Sequence, residues 1–355
     1  MKNFLLIVLL LPFLASSQER QNFKVSVIGF YNLENFYDTI NNPMVNDDEF
    51  TPQGVRNYNS AIYYNKIDKL ASVISQMGTE IVIGNGKIRN IDGPAILGVA
   101  EIENDTVLND LVKHSSLKRR NYKIVHYDSR DARGVDVALL YNPKYFTPEE
   151  SKALFVALPG NSKDSYFTRD VLWVKGKLDG ETIHVFVNHW PSRLGGEERS
   201  APARAAAAAV CKIKMDEILK QDPNAKIVIM GDLNDDPINE SITKVLKAKW
   251  RIEDVQPSGL FNPWTELYKK GIGTLAYQDA WGLFDQILIS HAFLDKKQDG
   301  FFYFKQQIFN EEFLVENTGR YKGYPMRTWD GMSYRGGYSD HFPTYLVMLK
   351  KTKTN

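Results

Sequence analysis

The most constraining feature of this sequence is an apolar segment, residues 227–230, that ends directly in polar side chains. Gly231 follows it, and Asp232 and Asn234 come next, two positions apart. A short apolar run bounded in this way predicts a buried β-strand. A carboxylate and a carboxamide at the end of a buried strand can hold a hard metal ion or orient a water molecule. The segment therefore predicts a functional rim on a β-rich core.

A second segment of the same kind lies near the end of the chain. Asp340 and His341 stand side by side just before the apolar residues 345–349. An acid, an amide and a histidine at strand ends are the groups that bind a divalent metal, activate a water and stabilise the transition state of phosphoryl transfer. The two segments together predict an enzyme that acts on phosphate esters.

The N-terminus has the composition of a secretory signal peptide. Lys2 supplies a positive charge, residues 4–14 are apolar, and residues 15–17 are small. A membrane anchor is the less favoured interpretation, because a helix needs about 20 apolar residues to cross a bilayer. We therefore expect residues 1–17 to be a signal peptide, residues 18–355 to form one domain, and the mature protein to be secreted or periplasmic.

Charge and cysteine content limit the possible functions. The chain has 44 basic and 43 acidic residues, so it lacks the basic excess typical of proteins that bind long nucleic acids non-specifically. This balance still allows a nuclease that contacts the nucleic-acid backbone only at its active site. Cys211 is the only cysteine, which excludes an intrachain disulfide. It lies in a predicted helix, residues 203–220, where a buried structural thiol is favoured over a nucleophile.

Strands and helices alternate along the rest of the chain. Apolar residues at helical spacing predict an amphipathic helix over residues 64–77. Asp179 and Gly180 separate the apolar runs 171–178 and 182–187, a pattern typical of a β-hairpin.

The positions of the polar residues predict the directions of the strands. Most apolar segments carry unusual polar residues at their C-terminal ends, whereas Asp285, Asp340 and His341 precede theirs. Only strands of mixed direction bring all these ends to one rim, so we expect mixed sheets.

Taken in chain order, these residues resemble the motifs of the endonuclease/exonuclease/phosphatase superfamily, which has the DNase I-like fold. The segments 231–234 and 339–341 are the most diagnostic. The residues that carry the resemblance are Asn32, Glu34, Glu101, His189, Asp232, Asn234, Asp285, Asp340 and His341. The resemblance implies an α/β fold, a four-layer sandwich of two mixed β-sheets flanked by helices, with the active site at the rim.

The resemblance also implies a metal site. The expected ligands are Asn32, Glu34, Glu101 and Asp340, with Glu101 as the principal one. Mg²⁺ is the expected ion, because it keeps most of its waters and needs few protein ligands. Mn²⁺ and Ca²⁺ are the alternatives.

Five residues are expected to act in catalysis. By resemblance, Asp232 orients or deprotonates the attacking water, and Asn234 supports the water or the phosphate. Asp285 should fix the tautomer of His341 and raise its pKa, so that the imidazole donates a hydrogen bond or a proton to the phosphate. His189 matches the family's second histidine, which stabilises the pentacoordinate phosphate.

Three arginines are considered for binding the substrate phosphate. Arg133 matches the family better than Arg130, and Arg193 belongs either to the substrate rim or to a solvated loop. Trp190, Trp281 and Tyr277 are interpreted as core or rim packing residues and not as platforms for base stacking.

The expected activity is that of a secreted, Mg²⁺-dependent phosphodiesterase, an endonuclease for DNA or RNA that acts as a monomer without stable membrane insertion. Enzymes that act on lipid headgroups or inositol phosphates share this core and differ in their loops. A sphingomyelinase-like enzyme or an inositol-polyphosphate phosphatase is therefore the alternative. A binding module without activity would lack a member of the metal and histidine set, and none is missing.

Overall fold

The computed structural model describes residues 22–83, 86–160 and 167–352, so the predicted signal peptide lies outside the described residues. In this part of the chain the strands are, in order, β1 (Phe23–Phe36), β2 (Glu80–Ile83), β3 (Gly86–Arg89), β4 (Ile96–Ile102), β5 (Lys123–His126), β6 (Asp136–Tyr141), β7 (Phe146–Leu154), β8 (Val171–Leu178), β9 (Glu181–His189), β10 (Lys226–Asp232), β11 (Leu260–Phe261), β12 (Leu275–Tyr277), β13 (Ala280–Gly282), β14 (Asp285–Ser290), β15 (Phe302–Ile308), β16 (Trp329–Asp330), β17 (Ser333–Tyr334) and β18 (Thr344–Lys351). The α-helices are α1 (Ser60–Gln76), α2 (Asp105–Lys113), α3 (Glu197–Gln221) and α4 (Thr265–Lys269).

Two large mixed sheets form the centre of the molecule. The first has the strand order β15-β18-β1-β4-β6-β5, and the second has the order β11-β14-β10-β9-β8-β7. In the first sheet β1 and β4 are parallel, in the second β9 and β10 are parallel, and the other neighbours run antiparallel. The predicted mixture of strand directions is therefore confirmed.

The two sheets pack face to face through their apolar side chains. A Cβ atom at Gly98 of β4 would lie 2.5 Å from Sδ of Met230 on β10. A side chain at this position would require the Met230 side chain to move, so Gly98 allows the two sheets to pack closely at this point. One hydrophobic cluster contains buried residues of both sheets and of α1.

Helices cover the outer faces of the sheets. α1 begins at the cap residue Asn59, whose side chain accepts the N–H groups of Ala61 and Ile62. α3 packs on the second sheet, where Cys211 is buried with Phe186. The predicted four layers of helix, sheet, sheet and helix are therefore confirmed, as is the burial of the Cys211 thiol. Within the described residues, the helices are all too short or too polar to cross a membrane.

The hairpin prediction was correct, and one helix prediction was too short. Leu178 pairs with Glu181, and the two turn residues have the positive φ values, 54° at Asp179 and 85° at Gly180, that a tight hairpin requires. The helix predicted from residue 203 begins at Glu197, with Pro202 inside it. Pro202 has no N–H to donate, which interrupts the helical pattern in the sequence without ending the helix.

Candidate active site

Three of the predicted site residues lie side by side because of strand register. Asp232 ends β10, where it pairs with His189 on parallel β9 and with Asp285 on antiparallel β14. The C-terminal ends of β9 and β10 and the N-terminal end of β14 therefore meet at one rim. All three side chains are buried.

The first sheet reaches this group through Asn32. Its Nδ2 donates to Oδ2 of Asp232 at 3.0 Å, which joins the two sheets at the rim. The Ser339 hydroxyl donates to the backbone oxygen of Asn32 at 2.7 Å and accepts the N–H of His341 at 3.1 Å. Ser339 thereby fixes the segment that carries Asp340 and His341 against β1.

Irregular backbone places the two glutamates. β1 and β4 both lose register near their ends, and Glu34 and Glu101 have φ values of 49° and 59°. A non-glycine residue in this left-handed region costs on the order of 1–3 kcal/mol, which the surrounding contacts must offset. For Glu101 one such contact is the N–H of Asn35, which donates to Oε2 at 2.9 Å. Bulges of this kind redirect a side chain at the edge of a sheet.

His341 is held by a buried carboxylate. Its Nδ1 lies 2.7 Å from Oδ2 of Asp285, and the Thr274 hydroxyl donates to the same oxygen at 2.5 Å. Because a carboxylate can only accept a hydrogen bond, Nδ1 of His341 carries a proton. Nε2 faces the rim, 3.8 Å from Oδ2 of Asp232 and 3.9 Å from Oδ1 of Asp340. Burial alone would lower the pKa of His341, but Asp285 and Asp232 hold it well above its usual range.

Asp232 is suited to accept a proton. Burial, reinforced by the Asp285 carboxylate, raises the pKa of Asp232 to about 6, against the lowering effect of His341. Its Oδ1 accepts the N–H of Asn234 at 3.0 Å. The Asn234 side chain donates to the backbone oxygen of Trp190 at 2.9 Å and so fixes the strand end that follows His189.

His189 lies opposite His341, and its surroundings shift its pKa in the other direction. Its Nε2 is 3.7 Å from Oε1 of Glu101 and 3.7 Å from Oδ2 of Asp232. Burial, together with the positive charges of Arg169 and Arg133, lowers the pKa of His189 well below its usual range. The surroundings therefore favour the neutral form of His189 and the protonated form of His341.

Arg169 positions His189 and is a residue that the sequence did not reveal. Its guanidinium donates to the backbone oxygens of His189 at 3.0 Å and Trp190 at 2.6 Å. The same group donates to Asp131 at 2.9 Å in a buried ion pair. A charged residue just before the buried strand β8 is the signal that could have identified it. Thr274 was also missed, because a single hydroxyl residue in a sequence gives no comparable signal. Ser339 belongs to the diagnostic segment 339–341, but no role was predicted for it.

The contacts of Glu34 differ from those expected of a metal ligand. Its Oε2 accepts the N–H of Thr328 at 2.6 Å, and its Oε1 accepts the N–H of Trp329 at 3.0 Å. The buried Lys66 ammonium lies 4.0 Å from Oε2 and donates to the backbone oxygen of Tyr338 at 2.8 Å. These are the contacts of an anchor for the long segment before His341, and the metal role of Glu34 stays a prediction.

The structure separates the two predicted phosphate arginines. Arg133 lies near Glu101: burial would raise the pKa of that carboxyl, but Arg133 and the Asn35 N–H hold it below its usual value. Arg193 instead donates to the backbone oxygen of Asn234 at 2.9 Å and to Asp236 at 3.0 Å. Since carboxylates already surround the Arg193 guanidinium, a role on substrate phosphate stays a prediction for that residue.

The donor chemistry of the rim fits a hard divalent cation. Ligand atoms of Asp232, Asp285 and His341 lie within 4.8 Å of one another, although Asp285 and His341 are already hydrogen-bonded to each other. A carboxylate oxygen of Glu101 reaches the same rim, and Oδ1 of Asn32 accepts the N–H of Glu34 at 2.9 Å. Carboxylate and amide oxygens are the ligands that Mg²⁺, Mn²⁺ and Ca²⁺ prefer. A cation here would also offset the repulsion between these buried acids.

Comparison with known proteins agrees with this arrangement. Residues 27–350 match the model of the endonuclease/exonuclease/phosphatase family. The chain belongs to this family. Endonucleases, exonucleases and phosphatases all hydrolyse phosphate esters, and the acids and histidines at the rim of this chain are side chains suited to that reaction. Among curated protein sequences, none matches the chain.

Solved structures share the fold at low sequence identity. A family protein from Bacteroides thetaiotaomicron is 16% identical, with a TM-score of 0.54 over 94% of this chain and 98% of that one. The mannosyl-6-phosphatase of the same organism is 17% identical, with a TM-score of 0.53 over 91% and 99%. TDP2 of D. rerio, complexed with a single-strand DNA product, is 13% identical, with a TM-score of 0.52 over 91% and 99%. These similarities confirm the DNase I-like fold.

Proposed function

We propose that this protein is a metal-dependent hydrolase of phosphodiester bonds in DNA or RNA. One observation supports this most directly: Oδ2 of the buried Asp232 carboxylate lies 3.7 Å from Nε2 of His189 and 3.8 Å from Nε2 of His341. A proton acceptor flanked by two hydrogen-bond donors is suited to water attack on a phosphate.

Asp232 is the proposed base. Its Oδ2 orients the attacking water and accepts a proton from it as the oxygen–phosphorus bond forms. Asn32 and Asn234 donate to the two oxygens of Asp232 and fix the direction of the carboxylate. A positioned base of this kind typically contributes a factor of about 100 to 10,000 to the rate.

The two histidines are the proposed donors to the phosphate. Nε2–H of His341, with Asp285 behind it, donates to a phosphate oxygen and can supply the proton that the leaving oxygen needs. Nε2–H of His189, on the other side of Asp232, donates to the phosphate as well. Arg133 supplies a positive charge to the same phosphate. In this scheme every donor is in place before the substrate binds.

Asn32, Glu101 and Asp340 are the proposed metal ligands, and Mg²⁺ is the proposed ion. When bound, the cation stabilises negative charge on the phosphate and lowers the pKa of a coordinated water. The lowered pKa of Glu101 keeps this carboxyl ionised and ready to bind a cation.

An aromatic groove favours nucleic acid as the substrate. It has a volume of about 480 Å³ and is lined by Tyr277, Trp281 and Phe284, among others. Trp281 also stacks on Phe342, the neighbour of His341, with the ring centroids 6.2 Å apart, so the groove adjoins the catalytic residues. Aromatic faces bind bases of single strands by stacking. Tyr277 is 72% exposed, so it is available for such a contact and does not pack in the core.

A phosphomonoesterase acting on a sugar phosphate is the second candidate. Glu197, Asp236 and Asn239 line the same groove, and such side chains can bind sugar hydroxyl groups. The mannosyl-6-phosphatase among the similar structures is consistent with this alternative.

We also propose that the protein is exported, because residues 1–17 have the composition of a signal peptide.

A substrate panel tests the proposal. Single- and double-stranded DNA, RNA, mannose 6-phosphate, inositol hexakisphosphate and sphingomyelin are incubated with the protein in Mg²⁺ or in EDTA. We expect Mg²⁺-dependent cleavage of nucleic acid that is lost in Asp232→Asn. Hydrolysis of mannose 6-phosphate without nucleic-acid cleavage would support the second candidate, and cleavage of nucleic acid in EDTA would overturn the proposal.

A further inference from the structure

A second group of side chains of the types that can hold a metal ion lies outside the candidate active site. His126 ends β5, Asp136 begins β6, and Asp128 lies in the loop between them. One ligand atom from each of the three lies within 4.8 Å of the other two. The loop between these strands is the one that carries Arg133.

The Asp105 carboxylate orients His126, the histidine of this group. Its Nδ1 lies 2.9 Å from Oδ1 of Asp105, at the start of α2, and its Nε2 lies 3.3 Å from Oδ2 of Asp136. Asp136 is itself held by the N–H of Ser129, which donates to the other carboxylate oxygen at 2.9 Å. A carboxylate that fixes one ring nitrogen while the other faces acidic ligands is a common arrangement at metal sites.

We propose that His126, Asp128 and Asp136 bind a divalent transition-metal ion such as Zn²⁺. One imidazole nitrogen with two carboxylates favours such an ion over Mg²⁺ or Ca²⁺, which prefer oxygen ligands alone. The side chains of His126 and Asp136 are 3% and 5% exposed, so they form the buried part of the proposed site. Asp128 is exposed, and an open cavity of about 780 Å³ beside His126 provides access.

The ion would join the two ends of the loop between β5 and β6, because His126 ends β5 and Asp136 begins β6. This loop also contains Asp131, whose carboxylate accepts from Arg169 at 2.9 Å and from the N–H of Arg133 at 3.0 Å. The proposed site therefore fixes, from outside the rim, the loop that presents Arg133. Without an ion, His126 would simply form ion pairs with Asp105 and Asp136.

Zinc content measured at equilibrium tests the site. The full-length protein is stripped with EDTA and dialysed against a chelator-buffered Zn²⁺ solution that contains millimolar Mg²⁺, and bound zinc is determined by elemental analysis. We expect His126→Gln and Asp128→Asn each to bind one zinc ion fewer per chain than the wild type. Asp105→Asn should lower the affinity of the site for this ion by about 10-fold, as is usual for a residue that orients a metal ligand.

His114→Gln is the matched control, because His114 also pairs with one carboxylate, Asp68, at 3.1 Å. The His114→Gln variant should bind as much zinc as the wild type. Zinc should also raise the melting temperatures of both proteins by the same amount. Asp128 is exposed, so Asp128→Asn should remain folded and decides the question if His126→Gln does not fold. Equal zinc content in the wild type and in Asp128→Asn would overturn the proposal. The readout is binding, so its result does not depend on whether the protein is a nuclease.

Discussion

Nδ1 of His341 lies 2.7 Å from Oδ2 of Asp285, and both side chains are buried. The carboxylate fixes the imidazole so that Nε2 faces the rim, and its charge favours the protonated ring. The role of Asp285 therefore depends on the presence of His341.

This dependence predicts strong non-additivity. Asp285→Ala and His341→Ala should each slow hydrolysis by about 100-fold or more, and the double variant should be scarcely slower than the poorer single one. A double-mutant cycle on single-turnover rates measures this, with circular dichroism to confirm folding. The pH–rate profile of the wild type should also have a limb that His341→Ala removes. Additive losses with an unchanged limb would mean that the two residues act separately.

Asp232→Asn should lower kcat by about 100- to 10,000-fold with little change in melting temperature. The substitution weakens the hydrogen bond from Asn32 but also removes a buried negative charge, so the two effects on stability oppose each other. Steady-state kinetics and thermal unfolding of the same preparation separate activity from folding. A variant that unfolds but keeps full activity per folded molecule would give Asp232 a purely structural role.

His184 should make the protein less stable in acid. Burial, with the charges of Lys175 and Lys214, lowers the pKa of His184 to about 4, whereas an unfolded histidine has a pKa near 6.5. Between these values the unfolded chain binds a proton that the folded one does not. The contribution of His184 to the free energy of unfolding is therefore fully present above pH 6.5 and is lost as the pH falls toward about 4.

Urea unfolding at pH 7.5 and at pH 5 measures this contribution. Wild type should lose more stability between these two conditions than His184→Gln, because glutamine does not titrate. His114→Gln controls for the loss of a histidine elsewhere and should behave like the wild type. An identical pH dependence in the wild type and in His184→Gln would show that His184 titrates normally in the folded protein.

Arg169→Lys should lower both stability and kcat. Lysine cannot reproduce the three bonds to Asp131, His189 and Trp190, and breaking a buried ion pair costs about 3–5 kcal/mol. Arg120→Lys is the matched control, because Arg120 is a buried arginine that also donates to backbone oxygens, on α1. Both variants should unfold at lower urea concentration, and only Arg169→Lys should lose turnover per folded molecule. Equal turnover in the two variants would exclude a positioning role.

The parts of the fold with local signals could be predicted from the sequence. The run 171–178 is the observed β8, because apolar residues and the Asp179–Gly180 turn define it locally. β7 was missed because Pro148 and its neighbouring glutamates are poor strand residues. They are tolerated there because β7 is an edge strand whose register shifts between Pro148 and Glu150.

Long-range contacts account for what the sequence could not predict at the site. Glu34 accepts from Thr328, which is 294 residues away, and this contact gives the glutamate its anchoring position. Arg169 and Asp131 are 38 residues apart and become an ion pair only when the strand ends converge. Neither pair has a periodic or spaced pattern. The residues of the rim could be named from the sequence, but the groups that hold them in place could not.

Mg²⁺ titration of Glu101→Gln on a labelled single-stranded oligonucleotide tests the central claim most directly. The substitution removes the charge of the proposed principal ligand while keeping its shape and the bond that Oε2 accepts from Asn35. We expect wild-type cleavage to saturate with Mg²⁺ and to stop in EDTA, and Glu101→Gln to remain folded and lose at least 100-fold in rate at every Mg²⁺ concentration. A variant with a near-native rate and an unchanged Mg²⁺ dependence would contradict the account.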